Sequence, residues 1–67
     1  MKTKEVIQRI EENGGLNIKS LQRDYASDIK YHNEKGTFKQ WLVGYIHYHE
    51  GVSYYIAKRV AEYFIGY

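Results

Sequence analysis

The sequence predicts an all-α fold, a single small domain of four short helices over residues 1–67. Glycines at positions 14–15, 36 and 51 divide the chain into four pieces, and the chain contains no proline. Within the pieces, apolar residues recur at spacings of three or four, as on one face of a helix. Residues that commonly begin helices, namely Thr, Asn and Ser, stand near the start of each piece. An α+β fold with a hairpin near residues 29–42 is the alternative.

The first piece predicts a helix from about Thr3 to Asn13. Its apolar stripe consists of Val6, Ile7 and Ile10. Thr3 is the expected N-cap, and Glu5 and Arg9, one turn apart, are expected to pair. The helix should end at Gly14-Gly15, because glycine readily adopts the left-handed backbone that terminates helices.

The second piece supports two interpretations. The favoured one is a helix from about Ile18 to Ile29, capped by Asn17, with a loop running to Gly36. Its apolar residues are Ile18, Leu21, Tyr25 and Ile29. In the other interpretation, residues 29–32 form a strand that enters a four-residue turn at residues 33–36.

The third piece carries the clearest helical pattern. Its apolar and aromatic stripe consists of Phe38, Trp41, Leu42, Tyr45, Ile46 and His49. Thr37 and Gln40 are spaced as a capping box, in which each side chain accepts a hydrogen bond from the other residue's backbone N–H. Gly51 is the expected C-cap. Trp, Val, Tyr and Ile also favour strands, and a hairpin turning at Glu50-Gly51 is the competing interpretation.

The fourth piece predicts a helix capped by Ser53. The expected inward residues are Val52, Ile56, Val60 and Phe64, and Tyr55 and Tyr63 are expected to widen this buried face. The residues expected to face outward are Tyr54, Lys58, Ala61 and Glu62. The centre of the whole core is predicted at Trp41, Leu42, Ile46, Ile56, Val60 and Phe64.

Composition excludes several classes of function. Cysteine is absent, which indicates a reducing, cytoplasmic environment and no thiolate metal site. The longest apolar stretch, residues 41–46, is too short for a membrane span. No phosphate-binding glycine loop or nucleophile motif occurs, so we expect no enzyme and no cofactor. The three histidines lack the i, i+4 spacing of zinc ligands, so we also expect no metal site.

The junction between the third and fourth helices indicates DNA binding. A short glycine-containing turn between two helices is the layout of a helix-turn-helix, whose second helix enters the DNA major groove. The segment resembles the helix-turn-helix regulators of phages and mobile elements at Ile46, Gly51, Val52 and Val60. It departs from them at His47, where Ala or Gly is usual, at Glu50, where an apolar residue is usual, and at Ala57, where a branched residue is usual. Residues 56–64 also resemble the closing helix of phage-repressor-type domains. The two resemblances assign this segment to different helices of the domain, so they cannot both hold.

The resemblance implies double-stranded DNA as partner and the helix from Ser53 to Tyr63 as the reading element. The implied nucleic-acid-binding residues are Lys39, Ser53, Tyr54, Lys58 and Arg59, with Lys2 and Lys4 as further phosphate contacts. The formal net charge is only +2, which permits an acidic partner without requiring one. Alternatively, Lys58 and Glu62, one turn apart, simply pair on a solvated helix face.

Protein binding is the alternative function. Eight tyrosines are more than so small a core can cover, and tyrosine is favoured in interfaces. The candidate protein-binding residues are Tyr31, Val43, His47, Tyr48, Tyr54 and Tyr67. Such a surface could form a homodimer, or could dock on a larger protein target as an inhibitor or adaptor, in the manner of phage proteins directed against host defence. The comparison with those inhibitors rests on size and composition alone.

Overall fold

The structure, a computed structural model, describes residues 2–33 and 35–67, and its regular elements are four α-helices. They are α1 (Thr3–Glu12), α2 (Ile18–His32), α3 (Phe38–Glu50) and α4 (Tyr54–Ile65). The all-α prediction is confirmed, and the hairpins considered at residues 29–42 and at Glu50-Gly51 are wrong. Within the described ranges, no helix combines the length and the apolar character that crossing a membrane would require.

The second helix is longer than predicted. It continues three residues beyond Ile29 and ends at His32, where Asn33 adopts a left-handed backbone with φ of 57° and donates its N–H to the Asp28 carbonyl. Asparagine tolerates this conformation better than most residues, so it can terminate a helix in place of glycine. The turn considered at residues 33–36 includes Glu34, which lies outside the described residues.

Three of the four predicted N-caps are confirmed. The Asn17 side chain accepts a hydrogen bond from the Ser20 N–H, and the Ser53 side chain accepts one from the Ile56 N–H. Thr37 forms the reciprocal capping box with Gln40, the third residue of α3. Thr3 is not a cap, because it is already the first helical residue. The residue before it, Lys2, has the extended backbone of an N-cap and provides no side-chain bond.

The core lies mainly between α3 and α4, with α1 packed against α4 and α2 against α3. Its buried residues are Val6, Ile10, Leu21, Leu42, Ile46, Val52, Ala57, Val60 and Ala61. Leu42, Ile46 and Val60 were correctly placed at the centre. Trp41, Ile56 and Phe64 are only partly buried and pack around the edge.

The inward face of α4 differs from the prediction. Ala57 and Ala61 are fully buried, whereas Tyr55 and Tyr63 are 67% and 56% exposed. Alanine side chains allow two helices to approach closely, and a tyrosine ring in their place would hold the helices apart. The core therefore contains the small residues of α4, and both tyrosines lie on the surface.

Aromatic packing attaches α2 to α3. The ring of Tyr25 lies edge-on to Phe38, with centroids 5.7 Å apart, and 6.0 Å from the ring of Trp41. The indole N–H of Trp41 donates to the Asp28 carboxylate at 2.8 Å. The Tyr25 hydroxyl donates to the Gly36 carbonyl at 2.6 Å, which fixes the connection before α3.

Candidate nucleic-acid interface

Helices α3 and α4 are joined by a three-residue turn, Gly51 to Ser53. Gly51 has a left-handed backbone with φ of 65°, and its N–H donates to the His47 carbonyl at 3.1 Å. Val52 is buried beneath the turn, and Ser53 caps α4. Two helices joined by a tight glycine turn of this kind form the layout expected of a helix-turn-helix.

The inward positions of this unit are buried. Ile46, Val52, Ala57 and Val60 are 1%, 6%, 0% and 0% exposed. Ala57 is smaller than the branched residue usual at its position, yet it is fully covered. The four side chains therefore hold α3, the turn and α4 together as one packed unit.

The unusual His47 is accommodated beside the turn. Its Nδ1 is hydrogen-bonded to the Val52 carbonyl, so Nδ1 carries the proton of this bond. Its ring stacks on that of Tyr54, with centroids 4.0 Å apart and an interplanar angle of 17°. The imidazole thus connects the last turn of α3 to the first residue of α4.

Glu50, the second departure from the motif, has a partner outside the unit. Its Oε1 accepts hydrogen bonds from Arg9 Nη2 at 2.7 Å and from Arg9 Nε at 3.0 Å. The expected pair between Glu5 and Arg9 is therefore replaced by a contact between α1 and α3. A carboxylate is tolerated before the turn because a guanidinium from α1 neutralises it.

The N-terminal half of α4 contains no acidic residue, and its side that faces away from the core is exposed. The exposed side chains here are Ser53, Tyr54, Tyr55, Lys58 and Arg59. Tyr55 is an addition to the predicted set, because its spacing had placed it on the inward face. Its hydroxyl accepts a hydrogen bond from Arg59 Nη1 at 3.0 Å, and the guanidinium lies 5.7 Å from its ring centroid.

A shallow groove of about 260 Å³ runs between α3 and α4. It is lined by Lys39, Gln40, Val43, Tyr54 and Lys58. The groove brings together three residues of the predicted DNA set and two of the predicted protein-binding set. Its surface is mostly apolar, and the aliphatic stems of lysine side chains can contribute to such a surface.

Lys39, at the rim of that groove, pairs with the only acid of α4. Its Nζ lies 2.8 Å from Glu62 Oε2. This hydrogen bond is the main reason why the pKa of Glu62 is lowered, and the nearby charges of Lys58 and Arg59 lower that pKa further. Glu62 therefore forms its salt bridge with Lys39 of α3, and the intrahelical Lys58–Glu62 pair is not formed.

A second groove, of about 470 Å³, lies between α4 and α1. It is lined by Thr3, Lys4, Ile7, Gln8, Glu11, Arg59 and Tyr63. The Tyr63 hydroxyl donates to Glu11 at 3.2 Å, and this bond raises the pKa of Tyr63. Basic side chains therefore lie on both sides of α4, Lys39 and Lys58 on one and Lys4 and Arg59 on the other.

The predicted protein-binding tyrosines do not form one patch. Tyr31, Tyr48, Tyr54 and Tyr67 are all exposed, as expected. The ring of Tyr67 lies 6.0 Å from Lys39 Nζ, near the α3–α4 groove. Tyr48 lines a different groove with Asp28 and Lys35, and Tyr31 lies on α2 beside Lys30.

No protein family model, curated protein or solved structure matched this chain. In the described part of the chain, no three His, Cys, Asp or Glu side chains are grouped so as to hold a metal ion.

Proposed function

We propose that the protein is a small non-enzymatic regulator that binds double-stranded DNA, with α4 entering the major groove. One observation carries the proposal. The α3–turn–α4 unit buries Ile46, Val52, Ala57 and Val60, and leaves the outward side of the N-terminal half of α4 exposed and without acids. An α-helix fits the major groove, and in helix-turn-helix proteins the first residues of the second helix meet the base edges.

The residues at the start of α4 have distinct roles in this proposal. The Ser53 hydroxyl and the Tyr54 ring contact base edges or the adjacent phosphate. Lys58, one turn further along the helix, pairs with a phosphate. The positive end of the α4 dipole adds to the attraction of phosphate at the same place.

The flanking residues position the helix in the groove. Arg59 and Lys4 lie on the side of α1, and Lys39 lies on the side of α3. The acids near this surface, Glu11 and Glu62, are both engaged, with the Tyr63 hydroxyl and with Lys39. Lys39 partly compensates the charge of Glu62, which therefore opposes DNA binding less than a free carboxylate would. The neutral Tyr63 hydroxyl leaves the charge of Glu11 in place.

The test is a titration of the purified protein with a labelled pool of random duplexes, followed by fluorescence anisotropy. With phosphate contacts from Lys4, Lys39, Lys58 and Arg59, affinity should fall about 100-fold between 50 and 200 mM salt. The double variant Lys58→Glu, Arg59→Glu should lose binding and retain its helical circular dichroism.

The matched control is Lys19→Glu, Arg23→Glu, which makes the same change of charge at two exposed positions on α2. It should weaken binding much less than the α4 variant. Absence of binding at low salt, or an equal loss in both variants, contradicts the proposal.

A protein target is the second candidate, and the apolar α3–α4 groove favours it. Val43 and Tyr54 in that groove could hold an apolar side chain of a partner, with Lys39 and Lys58 contacting its acidic residues. An inhibitor or adaptor of this kind would show little affinity for duplex DNA at any salt concentration. The same titration therefore separates the two candidates.

A further inference from the structure

His47 lies between the two helices of the proposed DNA-binding unit and contacts the residues that follow the turn. Its Nδ1–H donates to the Val52 carbonyl, and its ring stacks on the Tyr54 ring with centroids 4.0 Å apart. The side chain is half-buried. The imidazole is therefore held directly against Tyr54, one of the residues proposed to contact DNA.

The hydrogen bond to Val52 determines where the His47 ring takes up a proton. A carbonyl oxygen accepts and cannot donate, so Nδ1 keeps its hydrogen in both the neutral and the charged ring. Nε2 is then the atom that gains the proton. Protonation leaves the bond to Val52 intact, and a cation against the face of Tyr54 is attracted by the ring. His47 can therefore change its charge without leaving its place.

No acidic side chain of the described residues forms a salt bridge with His47. Glu50, three residues further along α3, is engaged by two hydrogen bonds from Arg9 of α1. Asp28, the acid that α2 brings to α3, accepts a hydrogen bond from Trp41 and lines a groove that does not include His47. A positive charge on His47 would therefore be compensated best by an anion from outside the chain.

The basic groups near His47 make its protonation sensitive to such an anion. Lys39 and Lys58 line the groove that Tyr54 also lines, and their charges oppose protonation in the free protein. The positive end of α4 opposes it as well, whereas the last turn of α3, which contains His47, favours a cation. A phosphate that contacts Tyr54 would lie well within the screening distance of about 10 Å from the stacked imidazole, and would favour its charged form.

We propose that protonation of His47 regulates DNA binding, so that the protein binds duplex DNA more tightly as the pH falls from about 8 to about 5.5. The inference rests on the proposed function, because the anion that favours the charged ring is a DNA phosphate. By linkage, DNA favours proton uptake at Nε2 as much as the proton favours DNA. The Lys39–Glu62 pair stays intact over this range, because the pKa of Glu62 lies below 4.5.

The test is the anisotropy titration with random duplexes at low salt, repeated at the two ends of this pH range. The wild type should gain about fivefold or more in affinity at the lower pH. His47→Asn keeps an N–H donor for the Val52 carbonyl and stays neutral, so it should bind like the wild type at the higher pH and show no such gain. The control His49→Asn removes the other histidine of α3, whose ring packs on Tyr45, and should keep the gain.

An NMR titration of the wild-type histidine rings tests the same inference without a substitution. With saturating duplex, the His47 signals should titrate at a higher pH than in the free protein, and those of His49 should shift less. Binding that gains nothing at the lower pH, or gains equally in His47→Asn, overturns the inference and leaves the DNA-binding proposal standing. A His47 titration unchanged by duplex does the same. Absence of duplex binding at both pH values contradicts the proposed function and this inference with it.

Discussion

Arg9 and Glu50, 41 residues apart in the sequence, connect α1 to the end of α3. The guanidinium donates to the Glu50 carboxylate at 2.7 and 3.0 Å and to the Glu50 carbonyl at 3.3 Å. This carbonyl immediately precedes the Gly51 turn. The first helix thereby holds the beginning of the turn from which the proposed DNA-reading helix emerges.

Loss of this contact should weaken the fold measurably. Replacement of Arg9 by Ala should lower the free energy of unfolding by about 1 kcal/mol, because the pair is only partly shielded from water. The difference should shrink in high salt, which screens the charges. Urea denaturation followed by circular dichroism measures it. Arg23→Ala, at an exposed position on α2, is the control and should change stability little.

The buried position of Ala61 can be tested by enlarging it. Ala61→Leu should destabilise the domain by about 1–3 kcal/mol, because the added atoms find no space between α4 and its neighbours. The same substitution at Ala26, which is exposed on α2, should change stability little. Thermal unfolding of both variants gives the comparison. Equal stability of the two would show that Ala61 faces solvent, as the apolar spacing had suggested.

The capping assignments predict different effects for two threonines. Thr37→Ala removes the hydroxyl that accepts the Gln40 N–H, and should cost about 1 kcal/mol of stability. Thr3→Ala removes no capping bond and should remain within about 0.5 kcal/mol of the wild type. Urea denaturation measures both variants. A larger loss at Thr3 would contradict the assignment of Lys2 as the N-cap.

The Lys39–Glu62 pair predicts a specific pH dependence. The folded state lowers the pKa of Glu62 below its ordinary 4.5, mainly through the hydrogen bond from Lys39. The contribution of the pair to stability is therefore present above pH 4.5 and is lost as the pH falls through the lowered pKa. Carboxyl NMR titration of Lys39→Met should give Glu62 a higher pKa than in the wild type. Lys19→Met should leave it unchanged.

Helix boundaries were more predictable than helix faces. The caps at Asn17, Thr37 and Ser53 follow from contacts within a single turn, which sequence spacing encodes directly. The face of α4 does not follow in the same way, because its apolar residues allow two neighbouring stripes. The spacing favoured the stripe with Tyr55, whereas the packed helix buries the stripe with Ala61.

The candidate site was predicted in part. Ser53, Tyr54, Lys58 and Arg59 are exposed at the start of α4, as expected from the position of the turn. Tyr55 was not predicted at this site, because the apolar spacing of α4 placed Tyr55 on the inward face and Ala61 on the outward face, the reverse of what the structure shows. In the folded chain Lys39 also lies at this surface, although it belongs to α3, which begins 16 residues before α4. Its side chain pairs there with Glu62 of α4.

The sequence by itself determined that the chain is helical, how many helices it forms and nearly where each begins and ends. Only the tertiary structure decided which side of α4 is inward and that Arg9 pairs with Glu50. The physical reason is the range of the interactions. Capping and helix propensity act within one turn of the chain, whereas buried faces and ion pairs depend on where distant helices come to lie.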